Sequence, residues 1–522
     1  MFRIAKPKNH GERVLMKPTA LVIGAGIGGI ATAARLAKNG YDVTVLEKEA
    51  TPGGRCNQIV RDGHRFDIGP TLFLMPEIWE ETFAALGEQL SDHLDLKRID
   101  PTYKVHFDDG LRLELTSNIG DMQTQLEKVE KTAFTGFLNY IAEGSKHYKM
   151  SVEKFVGRNF YNIFEYFSLG NLPLLFQLKA LQKHYSNTGN YFKDERLKAA
   201  FTFQNMYLGL SPYDAPATYS LLQYTELAEG VWYPMGGMYA GIQALTGIAE
   251  KLGVKFMYNS PVKKIHVGKS KVESVVTEDG KQYRADIFVG NADLPYIYKE
   301  LLPNKAEAKK LDEKLYTCST IMFYWGVDKE YGQIAHHNVF LGGDYKASFD
   351  EIFNDHTLPE VPSFYVHAPA RTDQAAAPNG QDTLYVLVPV GHLDARTEQD
   401  WDALVHRARE TVFKRLAREM GVTDLQQHIK FEIVYQPKTW KERFNLEKGS
   451  AFGLSHNFMQ VGYLRPQNRH KQYKNLYFAG ASTHPGTGLP IVLLSARLTT
   501  ERILKEKGTI AVQKVNPALN PA

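Results

Sequence analysis

Cysteine is nearly absent: Cys56 and Cys318 are the only two in 522 residues. They lie far apart and neither has metal-ligand spacing, which argues against a disulfide framework or a cysteine-built zinc site and makes a reducing compartment the default. A charge surplus is missing too. The 62 basic and 58 acidic residues leave a net charge of +4, which gives no case for nucleic acid as a partner. No apolar run reaches the roughly 18 residues that a bilayer-spanning helix needs. Residues 1–17 carry Arg3, Lys6, Lys8, Arg13 and Lys17 without an apolar stretch, so they read as a basic arm and not as a secretory signal. A monotopic membrane contact is compatible with all of these absences.

What is abundant is aromatic: 28 Phe, 28 Tyr and 5 Trp can line a large apolar cavity or fill cores. The length exceeds what one core fills and predicts two or three domains. The organising stretch is residues 20–47, ALVIGAGIGGIATAARLAKNGYDVTVLE. A buried strand runs into Gly24-Ala25-Gly26-Ile27-Gly28-Gly29, then a small-residue helix, then a second strand ending at Glu47. Gly24 permits the tight turn, Gly26 lets backbone approach a pyrophosphate, and Gly29 lets the helix pack close to the sheet. The helix N-terminus offers N–H groups to phosphates, and Glu47 is placed to accept hydrogen bonds from an adenosine ribose. Strand, helix and terminal acid together predict a dinucleotide site.

Just past Glu47 and Lys48 comes Pro52-Gly53-Gly54-Arg55. A Gly-Gly-Arg at this distance resembles the flavoprotein superfamily that includes amine oxidases and carotenoid desaturases, where the turn lies along the FAD pyrophosphate. Phe66-Asp67-Ile68-Gly69-Pro70-Thr71 follows, a strand into a turn, in a place that passes close to the flavin in that superfamily. Strands are expected at 103–107 and 111–115 around an Asp-Asp-Gly turn, then helices from 121 to 200. Within these, residues 160–181 (FYNIFEYFSLGNLPLLFQLKAL) are strongly apolar but broken by Gly170 and Pro173. They suit either a core helical hairpin or an interfacial membrane segment with Lys179 and Lys183 at the headgroups.

Residues 230–238 (GVWYPMGGM) lead into a helix at 239–252, then strands at 255–258 and 262–267 read as a pair. Asn259-Ser260-Pro261-Val262 matches the superfamily position where a backbone valine meets the adenine. Residues 300–470 alternate strand-like runs with a helix at 401–420, as expected of a substrate domain built on an antiparallel sheet. His336 and His337, adjacent on a strand, would point to opposite faces, so no metal site is expected there. The chain closes on residues 475–490, NLYFAGASTHPGTGLP, and a helix from 491 to about 505, whose N-terminus suits an electron-rich flavin edge.

Together, GAGIGG, PGGR, FDIGPT, GVWYPMGGM and ASTHPGTGLP resemble the bacterial and fungal type of phytoene desaturase, over nearly the whole chain. Unlike the fungal members, the sequence shows no hydrophobic C-terminal anchor. The resemblance implies an α/β fold: a Rossmann-like FAD-binding domain with inserted substrate and helical membrane-associating regions. The expected division is a basic arm (1–18), a discontinuous FAD domain (19–110, 230–299 and 471–506), a helical insertion (111–229), a substrate domain (300–470) and a flexible tail (507–522).

The implied activity is FAD-dependent, stepwise dehydrogenation of 15-cis-phytoene through zeta-carotene and neurosporene to lycopene. Desaturation of another carotenoid (C30 diapophytoene or a hydroxylated one), or arrest at neurosporene, stands as the alternative. FAD contacts are expected from Gly24, Gly26, Gly29, Glu47, Lys48, Gly54, Arg55, Gly69, Pro70, Thr71, Val262, Gly480 and Gly488. Thr71 and His484 are read as active-site wall, His484 equally as a helix-capping or supporting residue; no general base is named. Oxygen or a quinone would re-oxidise the flavin, and the enzyme would be cytoplasmic with peripheral membrane contact. A flavin amine oxidase would need an aromatic cage and often a lysine–water pair, and neither has a motif here. A non-catalytic binding module of the same fold is opposed by the complete glycine set with Glu47.

Overall fold

The computed structural model describes residues 17–303, 305–394 and 397–507. The expected basic arm up to residue 16 and the expected tail from residue 508 lie outside the described residues.

The chain's first strand, Thr19–Ile23, is central in a five-stranded parallel sheet. The order is Leu476–Phe478, Ile287–Gly290, Thr19–Ile23, Asp42–Leu46 and Lys255–Met257. Its three inner strands are nearly continuous apolar runs because helices cover both faces, as parallel sheets require. Helices Ile27–Lys38, Tyr239–Lys251 and Leu489–Lys507 pack around it, with Ile30, Leu36, Ile242 and Leu493 fully buried.

Lys255–Met257 corrects one expectation. It pairs in parallel with Asp42–Leu46, not with the following strand Val262–Val267. It leaves the helix Tyr239–Lys251, and a strand fed by a crossover helix returns to the parallel sheet. Asn259, with φ of 51°, then turns the chain away, and Val262–Val267 joins Val272–Thr277 and Gln282–Tyr283 in a separate antiparallel sheet.

The second large sheet has seven strands. In order they are Ile429–Tyr435, Ser319–Val327, Asp382–Val390, Phe364–His367, His337–Leu341, Tyr103–Phe107 and Arg112–Leu115. All nine residues of Ser319–Val327 are buried. Alternate residues Ile321, Phe323, Trp325 and Val327 face the layer that includes helix Trp401–Met420, while Met322 and Tyr324 face the other side with Phe66. The sheet is mixed, since His337–Leu341 runs parallel to Tyr103–Phe107.

The hairpin 103–115 therefore belongs to this sheet, although its first strand was expected in the FAD domain. An isolated two-stranded hairpin is marginal in water. Tyr103, Val105, Leu113 and Leu115 gain burial by extending the existing sheet.

Helices Ile119–Val129 and Ala133–Ser151 open the helical region. Within residues 160–181 only short helices form, Ile163–Tyr166 and Leu172–Gln177. Phe160, Tyr166 and Leu178 turn inward, but Phe164 (81% exposed), Leu169 (88%), Phe176 (74%) and Leu181 (71%) face outward. Among the described residues no helix is long and apolar enough to cross a membrane.

Candidate active site

The first helix begins at Gly26 with extended backbone (φ −68°, ψ 168°) and no side-chain cap, leaving its first N–H groups for a ligand. These groups face a cavity of about 640 Å³ that runs from the glycine turn, past Thr71 and Gly480, to Phe349 and Ile352 in the second large sheet's neighbourhood. Gly24, Gly26, Glu47, Lys48, Gly54, Arg55, Gly69, Pro70, Thr71, Val262, Gly480 and Gly488 all line it. Gly29 does not. Its role is packing, for a Cβ there would stand 2.1 Å from the Gly24 carbonyl oxygen.

Backbone N–H groups hold both carboxylate oxygens of Glu47. The Ala25 N–H donates to its Oε2 at 2.6 Å and the Glu49 N–H to its Oε1 at 3.0 Å. Burial raises its pKa, and the two backbone N–H bonds oppose that shift. A carboxylate has about four lone-pair sites, so these bonds leave acceptor capacity for a diol. The backbone around Val262 is tied to the same place, because the Ser260 N–H donates to the Glu47 carbonyl at 2.8 Å. Lys48, whose pKa is lowered by burial, lines the cavity beside it. Across the turn, Arg55 Nη1 donates to the Ala451 carbonyl at 2.8 Å, near Asp293, whose carboxylate accepts from Ser482 Oγ at 2.5 Å.

The segment around Gly69 is held from both sides. Tyr324 donates to the Ile68 carbonyl at 2.6 Å and Tyr385 to the Gly69 carbonyl at 2.7 Å, while Thr71 Oγ1 meets the Tyr365 hydroxyl at 2.9 Å. Asp67 connects two of the sequence motifs: its carboxylate accepts from the N–H groups of Met238 (2.9 Å) and Tyr239 (3.2 Å), where the helix Tyr239–Lys251 begins. Burial pushes Asp67 up to about 6 even so. A Cβ on Gly237 would sit 2.9 Å from that carboxylate, and φ of 96° at Gly236 and 84° at Gly237 is why the double glycine precedes the helix.

Two residues that pattern reading did not single out are central. Asn291 packs against the glycines of both cofactor segments. A Cβ on Gly26, Gly28 or Gly29 would come within 2.9 Å of its side chain, and its Nδ2 donates to the Ala479 carbonyl at 2.8 Å. Arg465 is buried and donates to five carbonyls, those of Thr483, Ser455, Gln460, Leu454 and Ala481, at 2.6 to 3.1 Å. It thereby fastens the strand-to-helix segment that carries His484 and Gly488. His484 lines the cavity, but its Nε2 bonds the Arg158 carbonyl at 2.8 Å and burial lowers its pKa to about 4, a supporting role.

The histidine pair departs from expectation. His336 lies before the strand His337–Leu341, so strand alternation does not separate the two rings. Their centroids are 4.4 Å apart, and His336 Nε2 meets His367 Nε2 at 3.1 Å. Burial holds all three imidazoles neutral, and hydroxyls of Thr372 and Tyr365 bond His336 and His337.

A family model described as flavin containing amine oxidoreductase matches residues 27–504. The chain is 48% identical over 486 residues to a zeta-carotene-forming phytoene desaturase of Myxococcus xanthus, covering 93% of each chain. It is 46% identical to a phytoene desaturase of Phycomyces blakesleeanus, over 95% of this chain and 86% of that one. A 4,4'-diapophytoene desaturase (4,4'-diaponeurosporene-forming) of Staphylococcus aureus is 34% identical, over 93% and 98%. Among solved structures, an oxidoreductase from Methanosarcina mazei superposes with a TM-score of 0.62 at 16% identity, over 92% of this chain and 100% of that one. Putrescine oxidase bound to putrescine gives 0.61 at 14%, over 94% and 99%.

Proposed function

The chain belongs to the flavin-containing amine oxidoreductases and, within them, to the carotenoid desaturases, and on that premise we propose that it desaturates phytoene stepwise through zeta-carotene and neurosporene to lycopene. It is an FAD-dependent dehydrogenase, and its residues fit the cofactor: uncapped helix N–H groups for the pyrophosphate and lone pairs on Glu47 for the ribose. FAD, when bound, supplies the two-electron acceptor for a C–H hydrogen. The observation that carries the reading is that this cofactor cradle and a long apolar chamber are one cavity. Beyond Thr71 its walls include Phe155, Leu178, Phe203, Leu387 and Phe349. Such walls align a polyene and exclude water.

Product analysis after co-expression with a phytoene-producing pathway tests it. Lycopene is the expected pigment. Zeta-carotene or neurosporene as end product would shorten the sequence of steps, and unchanged phytoene from FAD-loaded protein would overturn the substrate.

The same reading places the enzyme in the cytoplasm against a membrane, with oxygen or a quinone as final electron acceptor. Support comes from residues 160–181, which form cavity wall with Tyr166, Leu175 and Leu178 and present Phe164, Leu169 and Phe176 outward. The two lysines expected at the headgroups are paired within the protein. Lys179 is held by Glu143 and by Asn187 at 2.8 Å, and Lys183 by Asp214, so the contact rests on apolar side chains. Burying a Phe or Leu side chain is worth about 1.5–3 kcal/mol. The triple variant Phe164→Asp, Leu169→Asp, Phe176→Asp is therefore expected to bind phospholipid vesicles at least about 100-fold more weakly. Its melting temperature should be unchanged, because these side chains are exposed. Equal co-sedimentation of variant and parent would rule the patch out.

A further inference from the structure

Behind the cavity wall at Tyr207 and Tyr365 lies a buried group of polar side chains with no part in holding the cofactor. Its carboxyl is Glu226, fully buried on a π-helical turn, Thr225–Glu229. Such turns, with one extra residue per hydrogen-bonded ring, are frequent at functional sites. Glu226 Oε1 accepts from the Tyr103 hydroxyl at 3.1 Å, and Tyr103 in turn accepts from the Tyr207 hydroxyl at 3.1 Å. Tyr207 lines the cavity. Glu226 Oε2 makes no hydrogen bond at normal distance, the neutral Gln204 amide stands near the carboxyl, and no basic side chain stands close enough to offset its burial. A buried carboxyl without a cation is a poor structural choice. It is a good proton acceptor.

We propose that Glu226 receives the proton lost in a dehydrogenation, delivered from the cavity through Tyr207 and Tyr103. The inference rests on the desaturase reading. One substrate C–H gives up its hydrogen with the electron pair, as hydride, to the flavin. The neighbouring C–H gives up a proton, and its electrons close the new C=C bond. That proton passes to Tyr207 as Tyr207 passes its own to Tyr103, and Tyr103 passes its own to the carboxylate. The carboxylate ends as neutral acid and both tyrosines end unchanged.

A second hydroxyl chain, Thr71 to Tyr365 to His337 Nδ1 (2.9 and 2.6 Å), leads elsewhere. A proton arriving there would create a buried cation beside His336 and His367, whereas on Glu226 it removes a buried charge. Burial pushes Glu226 up to about 8, in the range where a base works near neutral pH. The titratable groups facing it are Tyr103, Tyr207 and Tyr365, held protonated by burial, and His337 beside Tyr103 is held neutral. A limb near pH 8 therefore belongs to Glu226.

The test pairs Glu226→Gln, which keeps the size and the acceptor oxygen, with Tyr103→Phe and Tyr207→Phe in the FAD-loaded enzyme. Anaerobic reduction of the flavin by phytoene should slow by about 100-fold in Glu226→Gln. The parent's rise in rate through about pH 8 should be absent from that variant. Infrared difference spectra of the parent without substrate should show a protonated-carboxyl band that titrates over the same range and disappears in Glu226→Gln. An unchanged rate and pH profile in Glu226→Gln, with the parent active, would overturn this inference alone. A parent that reduces no flavin with phytoene would overturn the desaturase reading and this inference with it.

Discussion

Arg465→Met should yield a protein that no longer retains FAD and melts far below the parent. Methionine fills much of the same volume but donates nothing, so five buried carbonyls, on Leu454, Ser455, Gln460, Ala481 and Thr483, lose their donor at once. An unsatisfied buried polar group costs about 1–3 kcal/mol. Water entering the space would offset part of the sum, yet a loss of at least ~5 kcal/mol remains, comparable to the whole stability of many domains.

The damage is directed at the site. Ala481 and Thr483 belong to the segment that runs to Gly488 along the cavity, and Leu454 and Ser455 follow Ala451, which receives Arg55. Burial lowers Arg465 to about 10, so it keeps its charge at neutral pH. Arg465→Lys provides a graded comparison, since an ammonium has three donors for five acceptors. The FAD-to-protein absorbance ratio and a thermal melt of all three proteins decide it. Stoichiometric FAD in the Met variant, with a melt close to the parent's, would show that these bonds do not hold the segment.

Local signals were readable in the sequence and distant ones were not. The glycine turn, its helix and Glu47 are contiguous, so each residue's task follows from backbone geometry within one βαβ unit, and all the named cofactor residues except Gly29 line one cavity. The motifs FDIGPT and GVWYPMGGM were visible as motifs, but nothing in either announced that Asp67 of one caps the helix of the other. Arg465 stands in a polar stretch, YLRPQNRHK, that reads as solvent-facing loop. Its acceptors come from segments that only the folded chain brings together.

Long-range pairing was the other blind spot. Tyr103–Phe107 and Lys255–Met257 have unambiguous strand character, yet which sheet each joins depends on partners far away in sequence. His336 and His337 failed for a different reason: the strand begins one residue later than alternation assumed. Glu226, in YTELAEG, reads as an ordinary helix-surface acid. The π-helical turn places its carboxyl inside.

Gly29→Ala should separate packing from phosphate binding within the glycine turn. The new Cβ would stand 2.1 Å from the Gly24 carbonyl oxygen and 2.9 Å from Asn291 Oδ1. The nearest obstacle is backbone, so the helix Ile27–Lys38 must move off the Gly24 turn by about an ångström to restore an ordinary contact. Overpacking of this kind costs about 1–3 kcal/mol, at the upper end here because neither side can yield. Gly26→Ala meets only the Asn291 side chain at 2.9 Å, with φ of −68° that alanine adopts without strain. Gly26 lines the cavity at the uncapped helix N-terminus, beside the N–H groups offered to a pyrophosphate. Gly26→Ala should therefore melt near the parent as apoprotein while binding FAD at least about 100-fold more weakly, a loss of ~2.7 kcal/mol. Gly29→Ala should melt lower with or without FAD. Apoprotein melts and FAD titrations of the two variants make the comparison. If they lost stability and affinity in the same proportion, the division of labour between Gly26 and Gly29 would fail, and the turn would be a single mechanical unit in which any added atom does the same harm.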